Sequence, residues 1–279
     1  MARTQYARDF SKDARFVIPE TPIGLTIAGS DCCAGAGLQI DLKTFQHHGV
    51  YGLSVVTAIV AEVPGKVIAV QPVSPQIVDN QLRVLLETYP IGAAKTGMFH
   101  SSEQIRVAVG HLKAWKRRDP SARLVVDPVM VATSGTRLLE EDAIEIMKSE
   151  LLPLADLVTP NLPEATVLLG RDSTSRDRDL ATELSETLNA SILLKGGHAA
   201  ERDLAIDYLV TGNGLTAYET ERLAGATVHG TGCALSASIT AQLAKGLTLE
   251  DAVGEAKSFL TNAMRKAFRW SGDVRALAI

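Results

Sequence analysis

Cysteine is scarce in this chain. Only Cys32, Cys33 and Cys233 occur in 279 residues, too few and too oddly placed for a disulfide framework, and no Cys/His spacing resembles a zinc site. Long apolar runs are missing as well: none reaches the roughly 18 residues that a membrane-spanning helix requires. Residues 1–22 mix Arg and Lys with Asp9, Asp13 and Glu20 and have no apolar centre, which speaks against a secretory signal or a transit peptide. A cytoplasmic location is the expectation. Charge of one sign is also lacking. The net charge is −4 and the basic residues are scattered, so nothing marks a nucleic-acid footprint or a polyanionic membrane partner.

Two common nucleotide motifs are absent. Gly35-Ala36-Gly37 is followed by Ile40 where a dinucleotide fingerprint needs a third small residue. Lys95-Thr96 has the ending of a P-loop, but Tyr89 and Ala94 stand where its glycines belong. A Rossmann dehydrogenase and a P-loop enzyme are therefore disfavoured.

What is present is a regular alternation of short apolar runs with longer amphipathic ones. Strands are expected at 24–29, 53–61, 91–94, 123–127, 157–159 and 192–195, with helices at 35–48, 74–89, 101–118, 140–152, 162–169 and up to Asn189. The first helix carries Leu38, Leu42 and Phe45 on one face. Ser101 with Gln104 three residues on has the form of a capping box. Two further strands, 203–210 and 215–220, flank the turn signal Thr211-Gly212-Asn213-Gly214, and helices 233–245 and 249–268 close the chain. Such alternation implies an α/β fold. A mostly parallel sheet carries helices on both faces, with an antiparallel addition near residues 203–220. No linker or repeat divides it, so a 22-residue N-terminal extension followed by one domain over 23–279 is expected.

In such sheets ligands bind beyond the carboxyl ends of the strands. Polar residues gather there: Gly29-Ser30-Asp31, Glu62, Lys95-Thr96-Gly97, Asp127-Pro128, Asn161 to Glu164 and Lys195-Gly196-Gly197. His229-Gly230-Thr231-Gly232-Cys233 opens the penultimate helix. Small residues there let successive N–H groups and the positive helix end converge on one anion, although a plain glycine turn before a buried helix has the same sequence. Cys233 falls in the first helical turn, where a thiol pKa drops below about 8.5 and the group gains basic character; a small buried apolar residue is the competing role. Asp127 suits a hard cation such as Mg²⁺, or merely steadies its own turn. Asn161-Leu162-Pro163-Glu164 has capping-box spacing, so Glu164 has a purely structural reading too. Lys195 ends an apolar strand and needs an anion, either a phosphate or a carboxylate. The histidines at 47 and 48 read as surface, and Cys32-Cys33 as two reduced thiols.

Taken together, LTIAGSD (25–31), GAGLQIDLKTFQHHGVYGLSVVTAIVAE (35–62), KTGM (95–98), VVDPVM (125–130), LVTPNLPEA (157–165), LLKGGH (193–198) and HGTGCALSASITA (229–241) resemble the hydroxymethylpyrimidine/phosphomethylpyrimidine kinases of the ribokinase-like superfamily. The resemblance implies a dimeric α/β enzyme. It would use ATP and Mg²⁺ to phosphorylate 4-amino-5-hydroxymethyl-2-methylpyrimidine and then its monophosphate. It makes Gly230, Thr231, Gly232 and Cys233 the anion hole, with Cys233 catalytic. Lys195, Asn161 and Thr231 would hold the nucleotide phosphates, and Asp127 and Glu164 the Mg²⁺. Gly29, Asp31, Glu62 and Met98 would receive the pyrimidine. Two departures bear on substrate. The family's first turn is usually Asp-Pro-Ser-Gly-Gly-Ala-Gly, against Asp31-Cys32-Cys33-Ala34-Gly35-Ala36-Gly37 here. A glutamine usually stands where Glu62 does. They keep open a pyridoxal or pyridoxine kinase, and a non-catalytic pyrimidine sensor remains a third reading.

Overall fold

The computed structural model describes residues 21–130, 139–170, 177–196, 204–223, 227–271 and 274–279. The N-terminal extension up to residue 20, the polar stretch 171–176 and the Gly197-His198 pair lie outside the described residues.

The chain begins with β1 (Ile23–Asp31), α1 (Gly37–His47), β2 (Tyr51–Val63), β3 (Lys66–Pro72), α2 (Pro75–Thr88), β4 (Ala93–Thr96), α3 (Ser102–Arg118) and β5 (Arg123–Val126). It continues through α4 (Glu141–Ile146), β6 (Leu157–Val158), α5 (Leu162–Leu169), α6 (Asp177–Leu188), β7 (Ile192–Lys195), β8 (Leu204–Thr211) and β9 (Gly214–Glu221). It ends with β10 (Thr227–His229), α7 (Thr231–Ala244), α8 (Leu249–Arg265), β11 (Phe268–Ser271) and β12 (Val274–Ala276).

Nine strands form one sheet in the order β3-β2-β1-β4-β5-β6-β7-β8-β9. From β2 to β7 all neighbours are parallel, while the pairs β2–β3, β7–β8 and β8–β9 are antiparallel. The order reverses between β1 and β4, because the chain runs outward from β1 to β2 and returns to β4 on the other side. That reversal opens a crevice beyond the strand ends, the place where open α/β sheets take their ligands.

The two faces bury different cores. One combines Leu25, Ile27, Val55 and Val126 of the strands with Leu82, Ile105, Leu112 and Leu184 of α2, α3 and α6. The other packs Ala93, Val125, Leu157 and Leu193 against Leu235, Ile239 and Leu243 of α7 and Val253 of α8. Helix α7 is buried all round from Ala234 to Leu243, which its small Ala, Ser and Thr side chains permit. α1 packs on β1 and β2 beside α7, so it buries Leu38, Ile40, Asp41, Thr44 and Phe45. Leu42, expected in the core, is only half-buried, and the charged Asp41 takes the deeper position.

Four local expectations differ. The 140–152 helix is α-helical only to Ile146; a π-turn over Met147–Leu151 and a short 3₁₀ turn at Leu152–Leu154 follow, with Pro153 stopping the ladder. The Ser101 side chain caps α3 by accepting from the Gln104 amide, but the Gln104 side chain does not close a capping box. Gln104 instead ties down His100 N and the carbonyls of Thr57 and Val73. Strand β3 and the small sheet β10-β12-β11 were not anticipated. Finally, His48 is half-buried, with Nε2 2.8 Å from Ser238 Oγ and its ring 4.7 Å from that of Phe259.

Candidate active site

The carboxyl ends of β1, β2, β4, β5 and β7 bring Asp31, Glu62, Thr96, Asp127 and Lys195 to one edge of the sheet. At its centre is an ion cluster. Lys195 Nζ lies 2.9 Å from Asp127 Oδ1 and 4.0 Å from Glu164 Oε2. Asp127 also accepts from Thr159 Oγ1 at 3.2 Å and from Ser236 Oγ of α7 at 3.1 Å. Burial works against the charge of Asp127, yet the Lys195 and Lys95 ammonium groups and Ser236 hold its carboxyl below the usual range. Burial also opposes the charge of Lys195, but Asp127 and Glu164 hold its pKa above the ordinary value.

Glu164 behaves differently. Burial, with Asp127 in support, pushes it up to about 7 against the pull of Lys195 and the Asn161 amide. The α5 capping box is complete: Asn161 Oδ1 accepts from Glu164 N and Glu164 Oε2 accepts from Asn161 N, each at 2.8 Å. The structural reading of Glu164 is therefore true, and it does not preclude the other. The same cap sets the carboxylate beside Lys195, whose own N–H donates to Pro160 O at 2.9 Å. One sequence motif thus fixes both a helix start and an acidic side chain at the crevice.

The turn into α7 lies directly over this cluster. Gly230 caps the helix with φ +79°, and a β-carbon there would overlap Gly35 O, so only glycine fits. At the next glycine, Gly232, the β-carbon position is 3.4 Å from Lys195 Nζ. The N–H groups of the first turn, Thr231 to Cys233, which have no partner within the helix, therefore sit beside a largely buried ammonium. This combination of helix end and cation is suited to a phosphoryl group.

Cys233 departs from its sequence expectation. Burial, reinforced by Asp41 and Asp127, pushes its thiol up to about 11, and Lys95 and the Gly37 amide do not reverse this. Position in the first helical turn predicts a lowered value. The structure gives the opposite, because the packing around the half-buried sulfur strips it of solvent and the two carboxylates oppose a thiolate charge. Beneath it, the fully buried Lys95 Nζ is paired to Asp41 Oδ1 at 2.8 Å, and Thr26 Oγ1 donates to Asp41 Oδ2 at 2.6 Å.

The crevice continues toward β2. Met98 Sδ is 2.9 Å from the β-carbon position of Gly29, and Met98 packs with Ala58 and Val60 into an apolar floor. Glu62 stands at the bulge of β2, its pKa raised by burial and by Asp31 and only partly lowered by His229. Asp31 is committed to its own turn, accepting from the amides of Cys33, Gly35 and Ala36 at 2.8, 3.0 and 2.8 Å. Despite burial, those bonds and the His229 ring hold its carboxyl at about 2.

A family profile described as phosphomethylpyrimidine kinase matches residues 31–276. The chain belongs to the phosphomethylpyrimidine kinase family. A hydroxymethylpyrimidine/phosphomethylpyrimidine kinase of Rhizobium meliloti is 42% identical over 252 residues, covering 89% of this chain and 92% of the relative. Among solved structures, a phosphomethylpyrimidine kinase from Clostridium difficile superposes with a TM-score of 0.75 at 38% identity, covering 88% of this chain and all of that one. An ADP complex of Bacillus subtilis pyridoxal kinase superposes with a TM-score of 0.83 at 34% identity, covering 92% and 97%. The fold is therefore ribokinase-like, shared by pyrimidine and pyridoxal kinases, while sequence identity is higher on the pyrimidine side.

Within this member of the family, several pairings around the site carry no signal in the sequence. Ser236 reaches Asp127 across 109 positions, and Lys95 reaches Asp41 across 54. Asp207 on β8 accepts from Gly196 N at 3.0 Å and from Lys257 Nζ at 2.6 Å, which holds the residue next to Lys195. Asp207 and Lys257 left no local signal, because charged residues in a strand and a helix ordinarily read as solvated.

Proposed function

We propose that this chain transfers the γ-phosphoryl group of ATP to the hydroxymethyl group of 4-amino-5-hydroxymethyl-2-methylpyrimidine, and then phosphorylates the monophosphate. The observation that carries the reading is the α7 turn set over Lys195, itself held by Asp127 and Glu164. Phosphoryl transfer asks mainly for positioning and charge stabilisation, which this arrangement supplies. The Thr231–Cys233 amides and Lys195 Nζ face the transferring group. Asn161 and its cap keep Glu164 in place, and Ser236 and Thr159 orient Asp127.

Asp127 and Glu164 are hard oxygen donors on one side of the phosphate position, which fits Mg²⁺ better than any softer ion. Mg²⁺ there would neutralise charge on the nucleotide phosphates. Cys233 would contact the acceptor hydroxyl. With its pKa at about 11 the thiol is neutral at pH 7, so it orients that hydroxyl in the ground state and takes no proton from it before transfer begins.

The pyrimidine would lie over Met98 and Gly29, with Glu62 at its polar edge. A glutamine amide both donates and accepts, whereas a carboxylate only accepts. Burial and Asp31 raise the pKa of Glu62, so it takes up a proton more readily than an exposed carboxyl, and in its ionised form it can accept from the exocyclic amine of the pyrimidine. Identity to the pyrimidine kinases favours this substrate over pyridoxal.

A cytoplasmic homodimer completes the reading. Among the described residues no helix is long and apolar enough to cross a membrane. Ile59 and Val63 of β2 and Ile68 of β3 are exposed apolar residues near the sheet edge, suited to burial against a second copy of the chain. Sedimentation of the purified protein checks this point, and a monomer at micromolar concentration would remove it.

The substrate assignment is tested by comparing kcat/KM for the pyrimidine and for pyridoxal with ATP in excess. A higher value for the pyrimidine is expected; a higher value for pyridoxal would move the function to vitamin B6 salvage.

A further inference from the structure

Asp31, Cys33 and His229 meet in the fold. Asp31 Oδ2 lies 3.2 Å from Cys33 Sγ and 3.4 Å from His229 Nε2, and the three donor atoms are all within 4.8 Å of one another. Two come from the turn after β1 and the third from the end of β10, 198 positions away. The geometry is well supported. Three backbone amides orient the Asp31 carboxylate. The His229 ring lies so close against Gly35 that a β-carbon there would fall 2.6 Å from Cδ2. Asp31 and His229 are both buried.

A carboxylate oxygen, an imidazole nitrogen and a sulfur constitute the ligand set of a borderline-soft cation; Mg²⁺ and Ca²⁺ take oxygen donors instead. We propose that Asp31, Cys33 and His229 bind a divalent cation of the Zn²⁺ class, at a site separate from Asp127 and Glu164. On binding, the S–H bond of Cys33 breaks, its proton passes to solvent, and sulfur and metal form a bond with the sulfur's electron pair. The cation takes the place of the Sγ–H···Oδ2 contact. His229 offers the Nε2 lone pair with its own proton on Nδ1. The amide bonds to Asp31 remain as the outer support that metal-bound carboxylates generally have. Glu62 is close enough to act on the charge of Asp31 and Cys33. Cys33 occupies the place of the serine usual in the family's turn, so the soft ligand belongs to this chain's version of the turn. A bound cation would tether that turn to the strand leading into α7.

The experiment is titration of tag-free, metal-stripped, full-length protein with Co²⁺, followed by displacement with Zn²⁺. One Co²⁺ per chain is expected, with a thiolate-to-cobalt charge-transfer band and the intense visible bands of a tetrahedral ion. The band is expected to vanish in Cys33→Ser with at least a roughly tenfold loss of affinity, the least that losing a ligand costs. It should persist in Cys32→Ser and in Glu164→Gln. Absence of the band in the unaltered protein would overturn the proposal, as would its survival in Cys33→Ser or its loss in Cys32→Ser. Because the readout is spectroscopic and needs no nucleotide, it stands or falls independently of the kinase reading.

Discussion

Replacing Glu164 with glutamine isolates the electrostatic strain of the site. In the folded protein Glu164 titrates at about 7 rather than its ordinary 4.5, because burial and Asp127 outweigh Lys195. The folded state therefore holds a proton that the unfolded state has already lost between those two values. Stability falls as pH rises through that window, since the unfolded chain binds fewer protons there. At about 1.4 kcal/mol for each pH unit, the interval corresponds to roughly 3 kcal/mol lost between pH 5 and pH 8. The amide introduced by Glu164→Gln would still accept from the Asn161 N–H and keep the cap, and Lys195 would keep Asp127. The assay is urea unfolding at pH 5, 6, 7 and 8 for both proteins. The advantage of Glu164→Gln over the parent should grow toward about 3 kcal/mol at pH 8, while turnover with Mg²⁺ falls. A stability difference that stays constant across the series would refute the placement of Glu164 as a strained, buried carboxyl.

Cys233→Ala should lower kcat by about a hundredfold, the scale on which losing the orientation of a reacting group acts, with the melting temperature little changed; unaltered turnover would remove Cys233 from the reaction. Glu62→Gln should shift KM for the pyrimidine while leaving KM for ATP in place, and equal shifts in both would show that Glu62 does not face the acceptor. Gly230→Ala forces a side chain into left-handed backbone against Gly35 O, so a loss of at least about 2 kcal/mol is expected. In a chain of this size that is a fall in melting temperature of about 4 °C or more. A melting temperature within about 1 °C of the parent, read by calorimetry, would contradict the close approach of the two turns.

The sequence was most legible where one short segment carries its own geometry. Asn161 to Glu164 spells out a capping box, and α5 runs over Leu162–Leu169 as its spacing predicts. The apolar runs of β1 and β7 and the antiparallel pair β8–β9 were equally visible, and with them the edge where Asp127 and Lys195 meet. Strand β3 was not, since most of its residues are exposed or half-exposed and its apolar positions lack a buried face. The small sheet escaped because it joins Thr227–His229 to Val274–Ala276, short segments with no pattern until they pair. Distance along the chain hid the partners of the site in the same way. Nothing local marks Asp41 as buried, since only the packing of α1 sets it against Lys95, and Cys33 reads as a reduced thiol in a turn until the fold brings His229 to it. The thiol of Cys233 was misjudged for a different reason. Helix position was legible, but the enclosure and the two carboxylates that reverse its effect are properties of packing.

The central claim is phosphoryl transfer at the α7 turn, and product identification tests it most directly. Purified protein would be incubated with ATP, Mg²⁺ and hydroxymethylpyrimidine, with products followed by mass, alongside Lys195→Gln. The account predicts the monophosphate followed by the diphosphate, with ADP formed in step, and loss of both products in the variant. No phosphorylated pyrimidine from the unaltered protein, or undiminished products without Lys195, would contradict it.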